Sequence, residues 1–476
     1  MAERTPSPRA LGEARRRAGS QVAQGGAKLV LAGPLTCLGA GMLALAACGG
    51  DTVMASTSGT ATTSESGESS ATSESLETET GAGTETETEA GTETETSEAE
   101  TGEPEPSASC SLAWQATLDT SEGLIGQPYD LALDAEDNLY VAGGYRSVPY
   151  VSGTAWLAKY DPAGELLWLQ AYGEARTLEA IELGPNGDVL GAGLAYAVDE
   201  DAPWAARIEG DSGELLWSAP VGDPVPYGYL RTLAVANDDT LFVGGMNFVD
   251  DGPWNQHWLA QVSALNGSTL WSTNWVSGLN RGGNTSTATT TSLLLPDADP
   301  SLIYAGAVES WGQVFRPYLY TFEELEGAPT QGHMLAELDY GRAQAVLQTQ
   351  AGELIIWIGR YDGGDNLLMG YEPATQTTLW TRVGEALEHS ILAAGLGPDD
   401  SLVVAQEVGG GGAAVRMWDA EGGLLCIEDE SFSTGEDFVF DWRGGVGPSG
   451  SAAVAGITTL GPNDSRMHVG RFEPDF

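Results

Sequence analysis

Three features of the sequence predict an all-β fold, a β-propeller of about seven four-stranded blades. A strand–turn–strand unit recurs along residues 110–476, a second such unit interleaves with it, and the pair repeats about every 50 residues. The two ends of this region also hold complementary halves of one unit, as a closed ring requires.

The first unit is an alternating strand, a tight turn rich in Gly, Asp and Asn, and a strand ending in small residues. It is clearest at 130–144 (Asp130 followed by LALDAEDNLYVAGG), 179–193 and 231–245, with looser copies at 292–306, 345–359, 391–406 and 438–456. The second unit starts on an aromatic residue and ends on a tryptophan: WLAKYDPAGELLW at 156–168, then 204–217 and 258–271. Later copies cover 368–380 and 415–426, and the copy expected near 318–335 is degenerate. Two hairpins make one four-stranded blade. Residues 111–116 match the last strand of the second unit, and 466–472 match its first strand without a partner. The N-terminal strand is therefore expected to complete the final blade.

The repeats resemble bacterial propeller repeats of the SBBP and quinoprotein-like (PQQ-like, WD40-like) type, carried by the pattern D-x-x-G-E-L-L-W after an aromatic start. That resemblance implies a scaffold and leaves the activity open, because propellers host enzymes, receptors and assembly platforms. The adjacent-cysteine pair usual in quinone-dependent dehydrogenases is absent, and no cofactor is expected.

Residues 1–47 read as an export signal. Arg9, Arg15, Arg16, Arg17 and Lys28 precede an uncharged apolar stretch from residue 29 to 47. The segment Leu45-Ala46-Ala47-Cys48-Gly49 resembles the lipobox of bacterial lipoproteins, which implies cleavage before Cys48 and its lipidation. Gly33, Pro34, Gly39 and Gly41 weaken the alternative, an uncleaved membrane-spanning helix. Gly49 in place of Asp favours the outer over the inner membrane by the sorting habit of that family. Residues 48–109 are almost entirely Ser, Thr, Glu, Gly and Ala, too polar to bury a core, so a disordered, charge-extended stalk is expected. The chain is thus expected in the cell envelope, lipid-anchored and facing away from the cytoplasm.

With 68 acidic against 20 basic residues, the chain carries a formal charge of −48, which argues against nucleic acid. Beyond the N-terminal region Lys159 is the only lysine, so anionic membrane surfaces are poor partners. Solubility is the plainer meaning of the charge. A monomer is expected.

Gly210-Asp211-Ser212-Gly213 matches a serine-protease nucleophile string, but its counterpart one repeat earlier is Asp161-Pro162-Ala163-Gly164, so it reads as a hairpin turn. The histidines (His257, His333, His389, His468) are scattered, and no metal site is expected. The acidic turns at 237–239 and 398–400 lack calcium-loop spacing. Trp114, Trp168, Trp217, Trp271 and Trp380 share one repeat position and Trp156, Trp204 and Trp258 another, which marks them as packing residues. Trp254, Trp275 and Trp311 fall in or beside irregular segments and are the better candidates for exposed contacts. With Cys37 in the signal and Cys48 lipidated, Cys110 and Cys426 remain; a disulfide is favoured over two free thiols.

Connections inside each unit are tight turns, whereas those between units (145–154, 195–203, 246–256, 308–317 and 276–290) are longer. In an up-and-down meander the long connections share one face, the usual binding surface. Tyr145, Arg146, Tyr150, Trp254, Arg281, Trp311, Arg316 and Arg360 are the candidates there, since aromatic and arginine side chains anchor interfaces. Packing of each within its own loop is the alternative. Two functions fit: a binding module for protein or glycan, or a lyase, hydrolase or quinoprotein-like oxidoreductase acting at the axial funnel.

Overall fold

The computed structural model describes residues 109–119, 126–146, 153–196, 201–222, 228–238, 240–248, 255–275, 286–296, 299, 301–311, 314–323, 329–335, 341–360, 366–383, 391–408, 412–419, 423–431, 439–461 and 464–475. Cys48 and the segments read as signal and stalk, Ser109 excepted, lie outside the described residues.

Strand β1 (Ser109–Asp119) comes first, and six sheets then follow in chain order. Blade 1 is β2 (Gln127–Leu133), β3 (Leu139–Arg146), β4 (Gly153–Tyr160) and β5 (Leu166–Tyr172). Blade 2 is β6 (Ala175–Leu183), β7 (Val189–Tyr196), β8 (Asp201–Ile208) and β9 (Leu215–Pro220). Blade 3 is β10 (Gly228–Val235), β11 (Leu241–Phe248), β12 (Asn255–Val262) and β13 (Thr269–Trp275). Blade 4 is β14 (Ser286–Leu294), β15 (Leu302–Trp311), β16 (Val314–Glu323) and β17 (Pro329–Met334). Blade 5 is β18 (Gly341–Gln348), β19 (Leu354–Arg360), β20 (Leu367–Glu372) and β21 (Thr377–Val383). Blade 6 is β22 (Ile391–Leu396), β23 (Leu402–Val408), β24 (Gly412–Trp418) and β25 (Leu424–Ser431). The seventh is β26 (Val439–Val446), β27 (Ala452–Gly461) and β28 (Asp464–Asp475), completed by β1 on its outer edge.

Every sheet is an antiparallel meander. The first strands of successive blades pack against one another, β2 on β6, β6 on β10 and onward to β22 on β26, and β26 returns to β2. The result is a closed ring of seven blades. Strand β1 pairs with β28 from Ser109↔Asp475 to Asp119↔Arg466, as the split unit at the chain ends foretold.

The core lies in the seams between blades. Tyr140 and Ala142 of blade 1 pack with Leu178, Ile181 and Trp204 of blade 2, and Met467 and Val469 of blade 7 join Leu131, Val141 and Trp156 of blade 1. Trp156, Trp204 and Trp258 are buried, each paired across the ladder with a glycine: Gly143, Gly193 and Gly245. Blade 6 inverts the sizes, pairing Gln406 with Ala414.

Polar staples cross the seams as well. The Lys159 ammonium donates to the Gly210 carbonyl at 3.2 Å, and Arg207 donates to Ala264 O at 3.3 Å. Arg471 donates to Pro162 O at 3.0 Å and pairs with Asp137 at 3.0 Å, fastening blade 7 to blade 1. Each reaches the third-to-fourth-strand turn of the next blade from the residue opposite the outer tryptophan. Several of the chain's scarce cations therefore work inside the ring, leaving its surface more anionic.

Inner strands carry a β-bulge in all seven blades, and their free edges are partly capped by neighbours. Asp130 accepts from the Ile181 N–H at 2.7 Å, Glu182 from Val235 N–H at 3.0 Å, and Ser292 from Val346 N–H at 3.1 Å. Burial pushes the Asp130 carboxyl up to about 7 and Glu182 to about 8, against the pull of those backbone donors. A carboxyl that binds its proton more tightly when folded adds stability that is fully present below about pH 4. That stability is lost as pH rises through 7 to 8. An Asp130→Asn/Glu182→Gln variant removes the titration and keeps one acceptor oxygen at each position, giving up one of the two N–H contacts (Leu131 and Ile181) that Asp130 accepts. Its stability loss between pH 5 and 8, followed by urea unfolding, should be smaller than the parent's by about 3 kcal/mol; full linkage is about 1.4 kcal/mol per pH unit per group, halved here for residual solvent contact.

Candidate functional site

Topology places the second-to-third-strand connections and the inter-blade connections on one face and the tight turns on the other. Turn chemistry is as the sequence implied. Asp161 Oδ1 accepts from the N–H groups of Ala163 and Glu165, and Gly164 has φ +87°. Ser212 lies in the equivalent turn and donates its hydroxyl to Glu209, so the protease-like string is a hairpin corner. Asp238 and Asp399 accept from Thr240 and Ser401, and these hydrogen bonds hold both carboxyls below the usual range.

Of the eight face candidates, Tyr150, Trp254 and Arg281 lie outside the described residues. Tyr145 and Arg146 end β3, Trp311 ends β15, Arg316 is the third residue of β16 and Arg360 ends β19, all toward the loop-bearing face. They belong to blades 1, 4 and 5, so the fold brings Trp311, Arg316 and Arg360 onto neighbouring blades and sets Tyr145 and Arg146 across the ring.

Two expectations need correction. The segment 308–317 is not a long loop: β15 and β16 pair from Val308↔Pro317 to Trp311↔Val314, leaving residues 312–313 as the connection. Pro317 is tolerated because its carbonyl accepts from Leu335 N–H, so its nitrogen also points past the end of β17, where no ladder N–H is required. Trp275 is not an exposed contact. It is 8% exposed, and its ring stacks on His257 at 4.9 Å.

That stack belongs to a buried polar cluster the sequence did not disclose, at the seam of blades 3 and 4 on the loop-bearing side. His257 is fully buried, and its Nε2 lies 3.2 Å from Glu309 Oε1, which also accepts the Tyr320 hydroxyl. Tyr320 meets the His257 ring edge-on at 5.3 Å, and Trp275 packs on Tyr320 and Phe322. Asn247, also buried, donates to Asn274 Oδ1 at 3.1 Å. Burial lowers the His257 pKa, only partly opposed by Glu309, so the imidazole is neutral at pH 7. An ionised Glu309 would fix the proton on Nε2; the buried Nδ1 has no hydrogen-bond partner. A carboxylate that orients an imidazole in this way is the arrangement used to prepare a histidine as ligand or base.

The scaffold does not demand this pair. At the His257 position the other blades carry Ala155, Pro203, Pro317, Ala413 and Met467, with Asn366 there in blade 5, and at the Glu309 position Tyr145, Ala195, Asn247, Val408 and Thr458, with Arg360 in blade 5. At no other seam do these two positions hold a histidine and a carboxyl group, which marks the blade 3–4 seam as a place where this ring departs from its own pattern. Comparing blades position by position is the signal that would have found it.

No protein-family model matches the chain, and no curated protein matches it. Among solved structures it is similar to the β-propeller domain of the Trilobed protease from Pyrococcus furiosus, with 11% identity and a TM-score of 0.42 over 70% of this chain and 92% of that one. It is also similar to the Pan2 WD40 domain of Neurospora crassa, with 7% identity and a TM-score of 0.46 over 77% and 96%. The acylaminoacyl peptidase of Pyrococcus horikoshii gives 8% identity and a TM-score of 0.41 over 71% and 50%. The assignment as a seven-bladed β-propeller rests on the seven four-stranded sheets and the ring of inner-strand contacts.

Proposed function

We propose that the chain is a lipid-anchored, extracytoplasmic lipoprotein whose propeller binds a protein or glycan through its loop-bearing face. The observation that carries the binding reading is the placement of the long connections on one face, above a buried polar cluster the repeat does not require. The anchor rests on the Leu45–Cys48 segment, and the outer membrane is the favoured site. Arg316 is exposed on that face, with Trp311 on the adjoining strand. The acidic charge steers basic partners toward the domain and nucleic acid away from it.

Two measurements test the reading. Palmitate labelling of the full chain should vanish in Cys48→Ser; retained label removes the anchor. Glycan-array binding and crosslinking to envelope proteins should fall in Trp311→Ala/Arg316→Ala and persist in Ser212→Ala on the turn face. Equal loss, or no loss, in the two variants overturns the face assignment.

A second reading, an enzyme working at the axial funnel, draws on Asp130 and Glu182, whose raised pKa values suit proton transfer near neutrality. Both already serve as acceptors for inner-strand N–H groups, which favours a structural use. Turnover of any substrate that disappears in Asp130→Asn/Glu182→Gln would reverse that preference.

A further inference from the structure

We propose that the Cys110–Cys426 disulfide is a redox latch on closure of the ring. In blades 1 to 6 a hairpin joins the third strand to the outer strand, but in blade 7 these are β28 and β1, from opposite ends of the chain. Blade 7 therefore lacks the covalent turn that holds an outer strand to its sheet.

The repeat shows what the disulfide replaces. Outer tryptophans sit opposite Lys159, Arg207, Gln261, Gly370 and Arg471, each beside a register shift, and Cys426 holds that position opposite Met417 in blade 6. Four residues before each tryptophan of blades 1, 2 and 3 stands a positive-φ glycine, Gly164, Gly213 or Gly267, on which the preceding blade's tryptophan rests: Trp114, Trp168 and Trp217 in turn. Cys110 lies four residues before Trp114, in the glycine position of blade 7. At the seam of blades 6 and 7 the repeat's Trp-on-Gly contact has become Cys426 bonded to Cys110, with a Cα–Cα distance of 5.7 Å. One bond thus substitutes for both the missing packing contact and the missing turn.

With the bond formed, β1 is fixed to blade 6 as well as to β28. With it reduced, β1 keeps its ladder to β28, its packing on β25 and the partly buried Leu112, Trp114, Ala116 and Leu118, but no covalent tie to either neighbour. Both cysteines are buried, yet Cys110 is the second residue of β1, so fraying of the strand's first residues brings the bond within reach. A dithiol reductant attacks one sulfur, forms a mixed disulfide and leaves as its own cyclic disulfide, giving two thiols on the protein. The reverse exchange with a protein disulfide donor restores the latch. The latched ring is therefore the form of an oxidising compartment, and in a reducing one blade 7 opens more readily.

Hydrogen–deuterium exchange of the full chain tests this. On reduction, amides of β1 and β28 should exchange faster by roughly a hundredfold relative to any change shared with blades 2 to 5. A Cys110→Gly/Cys426→Trp variant, which restores the contact used at the other seams, should be closed and indifferent to reductant. If it does not fold, Cys110→Ser/Cys426→Ser serves in its place and should show fast β1 exchange in both buffers. The proposal is overturned if reduced wild type, its two thiols verified by alkylation, protects β1 as before. It is equally overturned if all seven blades lose protection to the same extent, with no excess in β1 and β28, because the bond is then a general staple.

Discussion

Trp156→Ala should lower the stability of the propeller by about 3–5 kcal/mol, among the largest effects of any single side chain in it. Trp156 is fully buried in the seam between blades 7 and 1, where it packs with Leu131, Val141, Ala453 and Met467. Its ring lies so close to Gly143 that a Cβ there would stand 2.3 Å from the indole and 2.5 Å from the Gln127 carbonyl. The opposing backbone has no side chain with which to fill the space, so truncation leaves a cavity. Because the indole Nε1 makes no hydrogen bond, Trp156→Phe should cost much less. Urea unfolding of the two variants separates them, and equal losses would show that the volume argument is wrong.

Cys426→Ser should cost about 4 kcal/mol in an oxidising buffer. The bond closes a loop with a sequence separation of 316 residues, at the upper end of what chain entropy predicts for a cross-link, while measured losses are commonly smaller. Denaturation midpoints of wild type and variant, compared with and without reductant, check the figure. The difference should disappear once both are reduced, and if it persists the loss comes from packing at the buried Cys426 position.

The ring was legible in the sequence because its rules are local. A Gly-Asp-Asn turn between alternating strands names a hairpin wherever it occurs, and half a hairpin at each end names the closure. What stayed hidden depends on contacts between blades. His257 and Glu309 are 52 residues apart and meet across a seam, so neither residue's neighbours in the chain announce the pair. Trp275 looked available because it stands outside the tryptophan pattern; the histidine stacked on it is what covers it. Residues 308–317 read as a long connection in the sequence, whereas in the fold they are paired strand and the Pro317 nitrogen faces past the end of β17. The disulfide partners were readable, but their equivalence to a tryptophan and a glycine needed the bulged register of β1 and β25.

The latch position has a mechanical consequence. Tension entering the domain from the residues ahead of Ser109 meets the cross-link at Cys110, after a single residue of β1. The pull is then shared with β25, which lies inside a sheet whose four strands are continuous in the chain. The hydrogen-bonded rungs from Ser111↔Glu473 onward lie behind that point and cannot be peeled open one at a time. An edge strand that would unzip under load is thus converted into one that is slack, and blade 6 becomes the bearing of the molecule.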